Sequence, residues 1–506
     1  MTDTYLYKKN IAIPDNNYLL MAFPERKSFA LSSLGYLWLY KIASTQEGIN
    51  TEMLCTDYMT DISLKKTTAV SFSMSFDFDF MGVFEILDKL KIPILAKQRK
   101  ENMPLIFAGG AVITTNPEPY KEFFDFMIIG DGESVLSKIL DIIKSNYDKN
   151  TALEMLAEIE GVYVPKINKK VKKLTEPLNK VIYTPIVSDE SYFQNTFIIE
   201  ISRGCMNRCA FCTASYANLP FRHNNYEKII EAIELGLNKT NKIALLGAQI
   251  SAHPEFSNII KYLKNKMDKG ANIELGISSL RADSITPELI QTLVQGGQKT
   301  STIAIEAASE RLRKFINKNL TDEQIFNAIK ISRENGLSGM KIYSMIGIPN
   351  ETQEDIEQFV ILGKKLKDEN KGFDITFSFS SFVPKPHTPF QWALKEDIKS
   401  VEKKQKYLEK ELAKIGIKSK FSSAKWDFWQ TVLSRGGSEL APLLTEVYKN
   451  GGKSSAYKSA FKDLNLNYDL YINEIPKDRI LPWDYIENLT DKEFLSKEYN
   501  RLTNKL

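Results

Sequence analysis

The stretch Glu200-Ile-Ser-Arg-Gly-Cys205-Met-Asn-Arg-Cys209-Ala-Phe-Cys212-Thr213 decides how this chain is read. It gathers three thiols into eight residues, spaced C-x3-C-x2-C, directly behind an apolar run with the pattern of a strand. Three thiolates on one loop can wrap a single metal cluster. A [4Fe–4S] cluster takes four thiolates as a rule, so three leave one iron open to a substrate or cofactor. Two other readings stand beside this one. The first is a zinc site of three cysteines and one histidine, with His223 the nearest candidate, although structural zinc loops usually come as two C-x2-C pairs. The second is three unrelated buried thiols.

On the C-terminal side of the motif, strand and helix signals alternate in long units. Strands are expected over 197–202, 243–247, 273–277, 302–306, 340–345 and 375–380, with helices such as 226–237, 287–295 and 322–335 between them. Six βα units are too few to close an eight-stranded barrel, so 193–392 is expected to form a partial (βα)6 barrel, open on one side. On the N-terminal side, 1–165 carries short apolar strands at 18–23, 50–55, 69–73, 105–108 and 126–129, with helical periodicity from Leu31 to Ile42 and over 81–90. This is the pattern of an α/β, flavodoxin-like (Rossmann-type) sheet. Gly109 and Gly110 follow one strand, and Gly130-Asp131-Gly132-Glu133 follows another. Such glycines either let a backbone approach a ligand in the crevice of a doubly wound sheet or only make tight turns. The lysine-rich start of 166–192 reads as a solvated hairpin or linker. Residues 393–506 read as a small α-helical C-terminal domain. Its segment 395–425 holds ten lysines and five acids, a solvated helix face in the first instance and an RNA contact in the second.

The chain has 506 residues, 43% hydrophobic and 26% charged, which excludes a disordered tail and leaves ample core. Lys+Arg 67 against Asp+Glu 63 gives a net charge of +4, too small to argue for a dedicated nucleic-acid coat. Four cysteines are too few for a secreted disulfide framework, and the polar start, with Pro14 and Asp15 where an apolar core would stand, is not a leader. No uncharged apolar run approaches a membrane span. The expected location is the cytosol.

The cysteine spacing resembles the hallmark of the radical S-adenosylmethionine (radical SAM) superfamily, with Phe211 as its usual aromatic before the third cysteine. Landmarks follow in the family's order: Leu246-Gly247-Ala248-Gln249 in place of its Gly-Gly-Glu stretch, Ser278-Ser279-Leu280-Arg281, then Ile305-Glu306 through Arg311, then Gly347-Ile348-Pro349. The resemblance implies a [4Fe–4S] cluster on Cys205, Cys209 and Cys212, with SAM chelated at the open iron and cleaved to a 5′-deoxyadenosyl radical. It implies SAM contacts from Phe211, Gly247, Ala248, Ser279, Glu306, Gly347 and Pro349, and from Arg281 or Arg311 as a guanidinium fork on the carboxylate. An ordinary ion pair is the other reading of each arginine. An electron donor such as flavodoxin or ferredoxin is the implied partner.

The N-terminal half is similar to the cobalamin-binding domain that precedes many radical SAM domains. The likeness runs through Ser33-Leu34-Gly35, Phe107 to Gly110, Asn116 to Pro119, Ile128 to Glu133 and Leu481 to Asp484. It implies a corrinoid near Gly109, Gly110, Gly130 and Gly132. The histidine of the cobalamin-domain motif Asp-x-His-x-x-Gly is missing. The three histidines, His223, His253 and His387, all lie outside 1–165, so the resemblance implies no histidine lower ligand. The lower face is then open or held by water, or the fold has lost the cofactor. His387 and His253 sit in strand-end loops, as substrate-facing or loop hydrogen-bonding residues; His223 reads as structural, and Cys55 as an inert core residue.

The implied function is a cobalamin-dependent methyl transfer to an unactivated carbon or phosphorus centre. The alternatives are a cobalamin-free radical SAM enzyme acting on RNA or protein, and a non-catalytic cobalamin or SAM sensor. Methylthiotransferases need three further cysteines, and only Cys55 remains.

Overall fold

Apolar runs with no polar alternation mark strands covered on both faces, and Tyr18–Phe23, Leu105–Gly109 and Phe126–Ile128 in this computed structural model are of that kind. The structure describes residues 3–10, 17–145, 147–487 and 490–503, so Met1, Thr2, Pro14 and Asp15 of the polar start lie outside the described residues. Strands β1 (Tyr18–Phe23), β2 (Asn50–Cys55), β3 (Thr67–Ser73), β4 (Leu105–Gly109) and β5 (Phe126–Ile128) are parallel in the order 2-1-3-4-5. This is the flavodoxin-like order, whose switch point opens a crevice at the strand C-termini. A short β6 (Val162–Tyr163) runs antiparallel on β5. Leu20 and Ala22 pack on one face with Val83, Phe84 and Leu87 of helix Phe80–Lys89. Leu19 and Met21 pack on the other with Tyr36 and Tyr40 of Leu34–Thr45. Leu31, expected in that helix, lies in the break before it.

The barrel strands are β7 (Thr196–Glu200), β8 (Lys242–Leu246), β9 (Glu274–Ile277), β10 (Thr300–Glu306), β11 (Gly339–Ile346) and β12 (Asp374–Ser381). Neighbours pair in parallel, and a bridge from Leu280 to Ile303 joins β9 to β10. The six expected strands stand where their periodicity put them. A seventh, β13 (Lys418–Phe421), pairs in parallel with β12, which corrects the helical reading of 393–506 at its start. Helix Ile398–Lys414 packs Val401, Leu408 and Leu412 into the barrel core, so this last βα unit belongs to the barrel. Beyond it the segment is helical as expected, through Ala424–Arg435, Ala441–Lys449, Ser454–Asp463 and Lys492–Thr503.

The connector 166–192 is pinned at several points by short strand pairings. Val171–Lys172 pairs in parallel with Ile486–Glu487, Ile182–Tyr183 runs antiparallel on β7, and Lys173 is buried. Lys166, Lys169, Lys170 and Lys172 are exposed as the charge reading expects, because backbone pairing tolerates lysine wherever alternate side chains reach water. Among the described residues no helix is long and apolar enough to cross a membrane.

Candidate active site

Past β7 the chain makes a two-residue strand, Ser202–Arg203, paired with Arg222–His223, and then turns at Gly204. Gly204 has φ +81°, and a Cβ there would meet the Asn218 carbonyl oxygen at 2.5 Å, so only glycine lets the loop pass. The cysteine loop is tied down by its backbone. The Ala210 N–H donates to the Ile316 carbonyl (2.9 Å), and the Phe390 N–H donates to the Ala210 carbonyl (3.1 Å). The Arg208 carbonyl accepts from Asn317 Nδ2 (2.9 Å) and the Tyr216 hydroxyl (2.8 Å). Phe211 packs against the core beneath. Cys205 and Cys209 are buried and Cys212 is half-buried. Burial pushes the Cys209 thiol up to about 12, with the Lys318 ammonium pulling against it, and burial raises Cys212 as well. Thiols in such a place give up their protons to bound metal, whose charge replaces the missing solvation.

These sulfurs suit a cluster better than a single ion. Among the described residues no three His, Cys, Asp or Glu side chains are grouped to hold one metal ion. A cubane instead takes each thiolate at a different iron. His223, the candidate fourth zinc ligand, packs its ring on His253 at 5.0 Å and places Nδ1 3.3 Å from the Asn224 carbonyl.

Glu306 ends β10 with φ +68°, and its charge is felt by both Cys209 and Cys212. Its Oε1 accepts from Lys318 Nζ at 3.1 Å. Burial alone would lower the Lys318 ammonium, and Glu306 reverses this, holding it above the ordinary lysine range. Gln249 Oε1 accepts from Asn207 Nδ2 at 2.6 Å and lies 3.5 Å from Cys205 Sγ. Gly247 and Ala248 precede Gln249, and a Cβ on Gly247 would meet Ser202 Oγ at 2.5 Å. Ser279 is exposed beyond β9. Arg281 is already engaged, by Asp283 Oδ2 at 2.9 Å and the Lys318 carbonyl at 2.7 Å. Arg311 pairs with Asp355 and the Asn350 carbonyl, which is the ordinary ion pair rather than a fork aimed at the rim. Gly347, with φ +72°, donates its N–H to Glu351 Oε2 (2.8 Å) in the turn that holds Pro349. Asn207, Gln249 and Lys318 were not among the expected site residues. Gln249 had a signal, since it stands where the family carries glutamate; Asn207 and Lys318 had none.

The Gly130-Asp131-Gly132-Glu133 stretch also has a use that was not expected. Asp131 binds Arg203 Nη1 (2.8 Å) and Arg222 Nη1 (2.7 Å), while Glu133 and Glu200 each bind Arg203 Nη2 at 2.8 Å. This ion cluster clamps the first sheet to the start of the cysteine loop. The two arginines hold Asp131 below the usual carboxylate range against the opposing effect of its burial. The glycines are filled from the protein side. A Cβ on Gly110 (φ +113°) would meet the Met74 carbonyl oxygen at 2.3 Å, and one on Gly130 (φ +103°) the Leu174 carbonyl oxygen at 2.2 Å. Gly109 faces Ile128, and Gly132 faces Leu39. Gly110 and Gly130 make tight turns and also line the crevice at the strand ends, whereas Gly109 and Gly132 pack on Ile128 and Leu39.

A cleft of about 390 Å³ opens at the C-terminal ends of β3 to β5, lined by Phe76, Asp77, Ala111 and Thr115 on one side and Ala217 and Asn218 behind the cysteine loop on the other. It lies at the switch point, where such sheets bind ligands. It is open to solvent on one side, and no histidine is among the residues that line it.

The family description "Radical SAM superfamily" matches residues 199–362, and "Radical SAM proteins, N-terminal" matches 40–165. The chain is 33% identical to an uncharacterized protein of Methanocaldococcus jannaschii over 85% of this chain and 87% of that one. It is 26% identical to an uncharacterized methyltransferase of Pyrococcus horikoshii over 59% of this chain and 67% of that one. Its fold is similar to the cobalamin-dependent SAM radical enzyme OxsB with aqua-cobalamin and SAM bound, with a TM-score of 0.57 at 13% identity, covering 90% of this chain and 72% of that one. In the OxsB structure with aqua-cobalamin bound the match spans 52% of that chain. The chain belongs to the radical SAM superfamily, with a flavodoxin-like domain ahead of its barrel.

Proposed function

We propose that this protein is a radical SAM enzyme that holds a [4Fe–4S] cluster on Cys205, Cys209 and Cys212 and reductively cleaves SAM at the barrel rim. The observation that carries this reading is a loop of three sequestered thiols facing Glu306 and Lys318 at the C-terminal end of an open parallel barrel. What the group supplies when bound is one electron for the sulfonium, so that the S–C5′ bond splits into methionine and a 5′-deoxyadenosyl radical that takes hydrogen from the substrate. The chain's own residues do the positioning. Three thiolates would leave one iron without a protein ligand, open to the methionyl amine and carboxylate. Glu306 would accept hydrogen bonds from the ribose hydroxyls or the methionyl amine, and the Lys318 ammonium holds its carboxylate in place. Gln249 and Asn207 hold the first turn of the loop against β8. The barrel wall excludes water from the radical. An external donor such as flavodoxin or ferredoxin delivers the electron, and the reducing cytosol is where an exposed cluster and four free cysteines persist.

A second reading, corrinoid-dependent methyl transfer, is favoured by the place of the cleft between the first sheet and the cysteine loop. One experiment tests both readings: anaerobic reconstitution with iron, sulfide and hydroxocobalamin, followed by desalting and dithionite reduction with SAM. About four irons per chain and 5′-deoxyadenosine release are expected, with the visible absorption lost in Cys209→Ala. One zinc and no iron would overturn the enzyme reading. Retained corrinoid absorption selects methyl transfer, and its absence selects a cobalamin-free reaction.

A further inference from the structure

Strands β11, β12 and β13 form the open edge of the barrel, and their side chains alternate between two environments. Ile342, Phe377, Phe379 and Phe421 turn outward into the core beneath the helices. There Phe379 stacks on Phe421 at 5.1 Å and meets Phe359 at 5.0 Å. The complementary residues face the concavity: Lys341 and Tyr343 from β11, Thr376, Ser378 and Ser380 from β12, Lys418 and Lys420 from β13. Register sets Lys341, Thr376 and Lys418 in one row and Tyr343, Ser378 and Lys420 in the next.

Tyr343 is 39% exposed although it sits in the middle of an eight-residue strand with neighbours on both sides. Lys341 Nζ stands 4.6 Å over its ring and 3.3 Å from its hydroxyl. No carboxylate lies in an ion pair with Lys341, Lys418 or Lys420 among the described residues, and the one acid on this face of the three strands is Asp374, at the rim away from the cysteines. Two strand spacings separate Lys341 from Lys418, roughly 10 Å. Three lysines on one face, with no carboxylate paired to them, make a positive surface that favours an anion. On the adjacent strand Ala304 is level with Tyr343, and past a bulge Glu306 is level with Ser344, one residue nearer the cysteines. The basic rows therefore begin directly below the place where the radical would form.

We propose that this face binds the phosphate of the substrate, so that the molecule oxidised by the radical is a phosphate ester. Lys341, Lys418 and Lys420 supply the charge, and Tyr343, Ser378 and Ser380 supply hydroxyl donors. The proposal rests on the radical SAM reading above and names the substrate class for it.

The test uses the reconstituted full chain and a Lys341→Gln, Lys420→Gln double variant, with uridine 5′-monophosphate, uridine and a short single-stranded RNA as probes. The phosphate-bearing probes are expected to bind wild type and uridine is not. The double variant should bind them at least tenfold more weakly, as loss of charge-assisted contacts demands, with iron content and SAM affinity unchanged. Binding of the mononucleotide identifies a small phosphate ester, and binding of the RNA alone identifies a polymer backbone. The proposal falls if neither phosphate probe binds wild type, if uridine binds equally, or if the variant binds as wild type does. Loss of SAM binding or iron in the wild type would instead sink the enzyme reading.

Discussion

His387 shows what burial does to a titratable side chain. Its strand-end loop suggested a substrate-facing group or a loop hydrogen bond, and the structure gives the second. Nε2 lies 3.1 Å from the Thr115 carbonyl, and the backbone N–H donates to Gln391 Oε1 at 3.0 Å. Burial pushes the imidazole down to about 4; the Thr115 carbonyl pulls it up, and Lys173 pushes it further down. The unfolded chain, with an ordinary value near 6.5, takes the proton first. Stability is therefore full above pH 6.5 and is lost as pH falls from there through 4, by about 2 kcal/mol at pH 5. Asparagine tolerates the positive φ of +57° at this position. His387→Asn should flatten that slope, read by urea unfolding at pH 7 and pH 5. Equal losses in both proteins would remove His387 as its origin.

At the scale of elements, β13 matters most. Lys418-Ser-Lys-Phe421 is half lysine, and its one large apolar residue gives no period to read, so no sequence signal marks it as a strand. What makes it a strand is the free edge of β12 and the stack of Phe421 on Phe379. Removing that ring should release the edge. Phe421→Ala is expected to cost about 2–3 kcal/mol, measured by denaturant unfolding, and to weaken phosphate-probe binding by displacing Lys418 and Lys420. An unchanged midpoint would mean that the strand holds without its side-chain anchor. Val171–Lys172 follows the same logic: its partner, Ile486–Glu487, comes from the far end of the chain.

For the whole molecule, the ion cluster around Arg203 is a polar joint between the flavodoxin-like sheet and the barrel, beside the apolar core the two share. Burial would lower this guanidinium, and Glu200, Glu133 and Asp131 together override it and raise it. Arg203→Met leaves three carboxylates crowded on one another, with Arg222 still on Asp131. The expected loss is about 3 kcal/mol, together with faster proteolysis in 166–192 as the two halves part. Thermal unfolding and a protease time course check both, and a variant as stable and as resistant as wild type would show that the joint lies elsewhere.

Spacing and period are local properties, and they carried the cysteine triad, the five apolar strands of the first sheet, the six barrel strands and the helices between them. Each of these is a pattern within a few neighbouring residues, set by backbone geometry and one-sided burial. The roles of Asp131 and Glu133 as a clamp, the filling of Gly110 and Gly130 by backbone, the pairing of Lys318 with Glu306 and the seventh strand were decided by tertiary structure alone. In each case the partner stands far away in sequence or on another element. A residue's charge or lack of a side chain states what it can do, and only the neighbour brought by folding determines which of those things it does.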